Sequence, residues 1–235
     1  TLFEFLTLVL FLFPLLLAVF AWTMLLSPTK GLINNALVGL GLEASPFDIY
    51  SMGGMILVQS LYVAPLAFLI IAPVFASIDS SLEESARMSG AGTLKTMMRV
   101  TLPLARPAIA SSAVFLFIVG LESFEVPILL GAPRGVFTYT SLIYTEIAAR
   151  YPADYGVGTA LAMSLLMTTL VAIYIYRRLV ARSERFETVR GKGHRAQPID
   201  LGPWRWLTSG LCWLFFVFTV FMPAGILVMG SFLQF

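Results

Sequence analysis

Two groups of residues in this 235-residue chain could do chemistry, and each is built around carboxylates. The first is Glu122 and Glu125, in Gly120-Leu-Glu-Ser-Phe-Glu-Val-Pro127 at the far end of an apolar run. Their i, i+3 spacing puts them on one face if that run is helical, and a carboxylate pair there favours a cation. The second group lies in Asp79–Pro107, where Glu83 and Glu84 precede a stretch of small residues, Gly90, Gly92 and Pro103. Elsewhere the candidates thin out. His194 is the one histidine, set in a basic stretch without partners, and Cys212 is the one cysteine, set in an apolar run. Neither supports a metal site or a disulfide framework. There is no Walker-type phosphate loop, no catalytic triad and no nucleic-acid motif, so the chain reads as neither an enzyme nor a nucleic-acid binder, and no cofactor is expected on it.

What positions these groups is set by the rest of the sequence. Hydrophobic residues make up 58% and charged residues 12%, about half the charge of a soluble domain. Four stretches lack any Asp, Glu, Lys or Arg: Phe5–Thr29, Ile49–Ile78, Tyr155–Tyr176 and Trp206–Phe235. A fifth, Pro107–Leu121, is shorter and continues into the carboxylate pair. A spanning helix needs about 20 apolar residues, and only helices or closed barrels satisfy every backbone group in lipid. These runs do not alternate as strands would. The expectation is an all-α, polytopic membrane protein with five spans, near Phe5–Leu26, Ser51–Ile78, Leu104–Phe124, Tyr155–Tyr176 and Trp206–Phe235.

The charges orient those spans. Of fifteen basic residues, twelve fall in or beside two loops, 79–106 and 177–205, and three (Lys30, Arg134, Arg150) fall in the other two loops. The rich loops lie on one side in any alternating topology, and Lys and Arg are retained on the cytoplasmic face. Arg177–Pro203 also reads as a charge cluster near anionic lipid. The segment 27–50, rich in Gly, Asn and Pro, and the segment 125–154 are then external. In Asp79–Pro107, Ser80 or Ser81 is the expected cap of a short helix with Glu83 and Glu84 in its first turn, where carboxylates complement the dipole. Gly90 and Gly92 interrupt it, and Pro103 is expected to separate it from the next span. Counting from Arg106, sixteen residues place Glu122 roughly 24 Å up that span, near the outer boundary.

The cytoplasmic loop carries a pattern as well as a location. Glu84-Ser85-Ala86-Arg87-Met88-Ser89-Gly90, nine residues, and Val100-Thr101-Leu102-Pro103 resemble the EAA loop of binding-protein-dependent ABC importer permeases: Glu-Ala-Ala, three residues, Gly, nine residues, Ile, one residue, Leu-Pro. Glu84, Ala86, Gly90, Leu102 and Pro103 match; Ser85 stands for Ala and Val100 for Ile. The resemblance implies the type I (MetI-like) permease helical bundle in a bacterial inner (plasma) membrane. It also implies coupling through this loop to a cytoplasmic ABC ATPase dimer that carries the ATP and Mg, and service by a periplasmic solute-binding protein. Gly120–Pro127, with Leu130-Gly131-Ala-Pro133 and Thr138–Tyr144, resembles the iron(III)-type fused permeases. On that likeness 1–178 is a first half lacking its first spans, 179–203 a cytoplasmic linker and 204–235 the first span of a second half. Starting at Thr1 and stopping at Phe235, the chain is expected to be part of something longer. Iron(III) is the expected cargo, with polyamine, thiamine or phosphonate as alternatives, and Glu122 and Glu125 as candidate pathway-lining residues. The rival class, an ion-coupled secondary transporter, needs intramembrane ionisable residues, which are scarce beyond that pair.

Overall fold

A computed structural model describes residues 2–42, 45–187 and 204–232, and among them there are helices and turns but no strand. The expected linker residues 188–203, with His194, lie outside the described residues. The elements run α1 Leu2–Leu12, α2 Leu15–Leu26, α3 Leu32–Gly39, α4 Met52–Ala76, α5 Ser80–Met88, α6 Thr93–Thr96, α7 Leu102–Leu121, α8 Tyr139–Tyr144, α9 Tyr155–Glu187, α10 Trp204–Phe216 and α11 Met222–Phe232.

Four helical stretches are long and apolar enough to cross a membrane: Met52–Ala76, Thr93–Leu121, Tyr155–Ala181 and Arg205–Phe232. The first expected span is not one straight helix. Phe5–Phe11 and Leu15–Leu26 meet at 89°, because Pro14 offers no N–H and steers Phe13 away from helical geometry. α9 continues to Glu187, past the expected end at Tyr176. Its 33 residues extend about 50 Å, well beyond a hydrocarbon core of about 30 Å, so it carries its basic end out of the lipid.

Pro103, expected to separate the short helices from the next span, is instead absorbed into it. Pro103, Pro133 and Pro223 each follow a π turn by two residues, the turns being Met97–Thr101, Pro127–Gly131 and Val217–Phe221. A helical proline lacks the N–H for residue i−4 and its ring collides with that carbonyl. The carbonyls in question belong to Arg99, Leu129 and Thr219, the middle residues of the three turns. There the chain bonds five residues back (Leu102 to Met97, Ala132 to Pro127, Met222 to Val217). The widened turn makes room for the ring, so α6, its π turn and α7 run on as one helix from Thr93 to Leu121, and Pro103 lies inside the span rather than before it.

The chain divides into two compact units. One comprises Thr1–Leu66, Gly120–Leu166 and Pro203–Phe235. Its core gathers Val19, Trp22, Leu25 and Leu26 of α2 with Ile49, Met55, Val58, Val126, Leu130 and Ile226 of α11. The segment 27–50 is tied to this core through the side chain of Asn34. Asn34 is wholly buried; its amide donates to the carbonyls of Leu26, Ser27 and Phe47 at 3.1, 3.0 and 2.8 Å, and its Oδ1 accepts from the Phe47 N–H at 3.2 Å. Asp48 then accepts from the Tyr50 N–H and pairs with Arg134 at 2.7 Å. Further along, Glu146 pairs with Arg150 at 2.6 Å, and its hydrogen bond and charge raise the pKa of that exposed guanidinium. The other unit comprises Ala67–Val119 and Met167–Gly202 and holds α5 and α6.

Replacing Asn34 with Ala removes four hydrogen bonds to backbone groups, of which the Ser27 carbonyl alone keeps another donor shown here, the Gly31 N–H at 2.8 Å. The variant is predicted to lose about 1–3 kcal/mol, read as a lower denaturant midpoint in detergent. Asn35→Ala, at an exposed position, should leave the midpoint unchanged.

Candidate functional sites: an inward elbow and an outer carboxylate turn

The elbow is built from α5 and the turn that follows it. The helix is capped by Asp79, not by Ser80 or Ser81: Asp79 Oδ1 accepts from the Ser81 N–H at 2.9 Å. An aspartate one residue before the helix is among the best N-caps because its carboxylate takes an orphan N–H and meets the positive helix end. Glu83 follows in the first turn. The serines that replace or neighbour the small residues of the pattern turn their hydroxyls inward along the helix, Ser85 to the Ser81 carbonyl at 2.7 Å and Ser89 to the Ser85 carbonyl at 2.9 Å. Ser85 is therefore a mild replacement for Ala, since its polar group is satisfied locally.

Gly90 ends the helix for a conformational reason. Its φ is +81°, in the left-handed region, and the next N–H, of Ala91, reaches back to the Ala86 carbonyl at 3.1 Å. That six-to-one bond closes a Schellman ending, which wants glycine at the left-handed position. A Cβ at Gly90 would meet nothing within 4 Å. The requirement is thus one of backbone conformation, leaving open space over the turn.

Glu84 and Ser85 are exposed, Ala86 is half-buried, and Val100, Leu102 and Pro103 are half-buried in and just after the π turn. Around them the elbow shows apolar side chains to the outside: Met88 is 83% and Leu94 67% exposed, with Leu82, Met97 and Met98 near half. Lys95, Arg99 and Arg106, nearby in sequence, are exposed as well. Large exposed apolar side chains among basic ones are the composition of a protein-binding surface. Sequence reasoning missed one contact that braces the elbow from beneath. Thr101 donates its hydroxyl to Glu83 Oε1 at 2.7 Å, across eighteen residues of sequence. No spacing rule links such a pair, so nothing in the sequence singled it out.

The outer carboxylates are arranged differently from expectation. α7 stops at Leu121; Glu122 lies in the turn after it, and Glu125 opens the next short helical stretch, which runs into the π turn at Pro127. They do not share one helical face. Glu122 is exposed and Glu125 half-buried. The two residues between them are pinned: Ser123 donates to Gln59 Oε1 at 2.8 Å, Thr140 donates to the Ser123 carbonyl, and the Phe124 ring meets Tyr144 edge-on at 5.3 Å. A bound turn thus presents the carboxylates. Among the described residues no three His, Cys, Asp or Glu side chains gather that could hold a metal.

Comparison with known proteins decides the family. Residues 1–185 match the family model described as binding-protein-dependent transport system inner membrane component. This chain belongs to that family. The likeness extends to the ferric transport system permease protein FbpB of Actinobacillus pleuropneumoniae, 32% identical over 153 residues, 65% of this chain and 22% of that protein. A protein of Salmonella typhi named for a 2-aminoethylphosphonate transport system permease, PhnU, is 29% identical over 187 residues, 79% of this chain and 60% of that protein. The chain therefore spans between about a fifth and three fifths of these relatives. In fold it resembles a chain of the bacterial alginate ABC transporter crystallised with an alginate pentasaccharide-bound periplasmic protein, with a TM-score of 0.61, 24% identity, and coverage of 79% and 65% of the two chains. As a member of the inner membrane component family with four to five apolar spans, it is a multi-pass inner-membrane protein.

At Gly90, the left-handed turn makes a graded prediction. Asn tolerates φ near +81°, whereas a left-handed Ala costs about 1–2 kcal/mol and a Trp adds bulk to the elbow surface. Membrane insertion should be normal in all three, with ATPase co-purification and uptake near wild type in Gly90→Asn, reduced in Gly90→Ala and lost in Gly90→Trp. Full uptake by a correctly inserted Gly90→Trp protein would contradict the elbow's role.

Proposed function

We propose that this chain is part of the pore-forming permease of an ATP-driven importer, in which the elbow Ser80–Pro103 seats a cytoplasmic ABC ATPase dimer. The observation that carries this is the elbow itself: a capped helix reversed at Gly90, exposing Met88 and Leu94 between two spans, at the positions of the family's coupling pattern. A protein that merely spans the membrane has no use for an apolar patch on its cytoplasmic loop. Hydrolysis of ATP with Mg would fall to the partner, leaving this chain the work of movement. On the outer side a periplasmic solute-binding protein would deliver cargo, as the name of the crystallised alginate complex describes for that transporter. Within the chain, 1–178 would form the first half's last four spans and 204–235 the first span of a second half. The family match ending at residue 185 supports that division.

For the cargo, iron(III) is the favoured class. The support is the likeness to the ferric permease and the two outer carboxylates, whose charge draws a cation and repels a phosphonate. A second reading, phosphonate import, is favoured by the longer matched stretch in the phosphonate relative. The carboxylates separate the two. In vesicles supplied with the binding protein and radiolabelled iron(III), the Glu122→Gln, Glu125→Gln double variant should lose about tenfold or more in uptake, since a unit-charge attraction at effective dielectric near 20 is worth over ~1.4 kcal/mol out to ~10 Å. Unchanged iron uptake in the double variant would discard the role of the pair, and transport of 2-aminoethylphosphonate in place of iron would replace the cargo.

A further inference from the structure

α5 is joined to the helix that begins at Thr93 through Ser89–Gly92, four residues of which two are glycines, one of them left-handed at φ +81°. Glycine leaves the backbone the widest conformational freedom, so this connection alone would act as a hinge. A push on α5 would be spent in rotating it. The Glu83–Thr101 hydrogen bond supplies a second point of attachment. Glu83 lies in the first turn of α5, six residues before Ser89, about 9 Å along the axis. Thr101 is the last residue of the π turn and is 8% exposed, and its hydroxyl donates to Glu83 Oε1 at 2.7 Å. Both ends of α5 are then held to the same neighbour, one by the chain and one by this bond. Neither residue belongs to the coupling pattern, which skips the position of Thr101 and begins after Glu83.

We propose that Glu83 and Thr101 are positioning residues that make α5 move as one body with the helix from Thr93 to Leu121, so that force on the elbow reaches the span instead of the hinge. The proposal rests on the ATPase-docking reading above. Thr101 closes the π turn two residues before Pro103, within the continuous helix from Thr93 to Leu121.

The test uses full-length permease purified with its ATPase, in a Cys212→Ser background, carrying spin labels at Ser81→Cys and Phe117→Cys, both exposed positions. Distances are measured nucleotide-free and after trapping with ATP and vanadate. In the otherwise unaltered protein the distance should be narrow and the same in both states. With Thr101→Val or Glu83→Leu the ATPase should still co-purify, but trapping should shift or broaden the distance, and transport per ATP hydrolysed should fall by about tenfold, the lower end of what one hydrogen bond to a carboxylate is worth. Thr101→Ser and Glu83→Gln, which keep a donor and an acceptor, should restore both readouts. A Thr101→Val protein that binds the ATPase and shows unaltered distances and stoichiometry would overturn the proposal. Failure of any ATPase to accompany the parent protein would instead overturn the docking reading, and this one with it.

Discussion

A backbone amide inside hydrocarbon has no water to bond with, and that single constraint shapes most of what this chain does. It forces the apolar runs into helices and drives charges to the ends of spans, so that twelve of fifteen basic residues collect in or beside two loops. It also decides how prolines are handled. A proline that simply broke a span would leave carbonyls unpaired in lipid. The π turns before Pro103 and Pro223 instead keep the ladder going with bonds five residues back. At Pro14 the chain takes the other course and bends by 89°.

The same constraint gives the elbow its meaning. Once the spans are rigid and self-satisfied, they can be moved only by gripping something outside the lipid. α5 is short, capped at one end by Asp79 and closed at the other by Gly90, and it carries apolar side chains that the fold leaves uncovered. Family membership and this geometry agree without depending on each other. The one comes from similarity over residues 1–185, the other from a helix cap, a left-handed turn and an exposed patch.

Much of this was legible from residue types. The all-helical class and the apolar spans follow from charge-free runs, and the family from Glu84, Gly90, Leu102 and Pro103 at their spacing; the first of the five expected spans is the one the structure bends. What was not legible shares a cause: it depends on how one turn of backbone is wound. Pro103 looked like a stop because the sequence does not announce a π turn. Glu122 and Glu125 looked like one helical face because nothing before Pro127 signals that the helix ends at Leu121. Asp79 was passed over for the serines beside it, although its carboxylate is the stronger cap. The Asn34 and Glu83–Thr101 contacts join residues far apart in sequence and appear only once the chain is folded.

The central claim, that the turn around Gly90 faces the cytoplasm and is gripped there, is tested most directly by sided labelling. A single cysteine at Met88, in a Cys212→Ser background, would be exposed to a membrane-impermeant maleimide. The account predicts labelling in inside-out vesicles stripped of ATPase, protection when the ATPase is restored, and none in right-side-out spheroplasts. Labelling from the outside, or no protection by any nucleotide-hydrolysing partner, would contradict it.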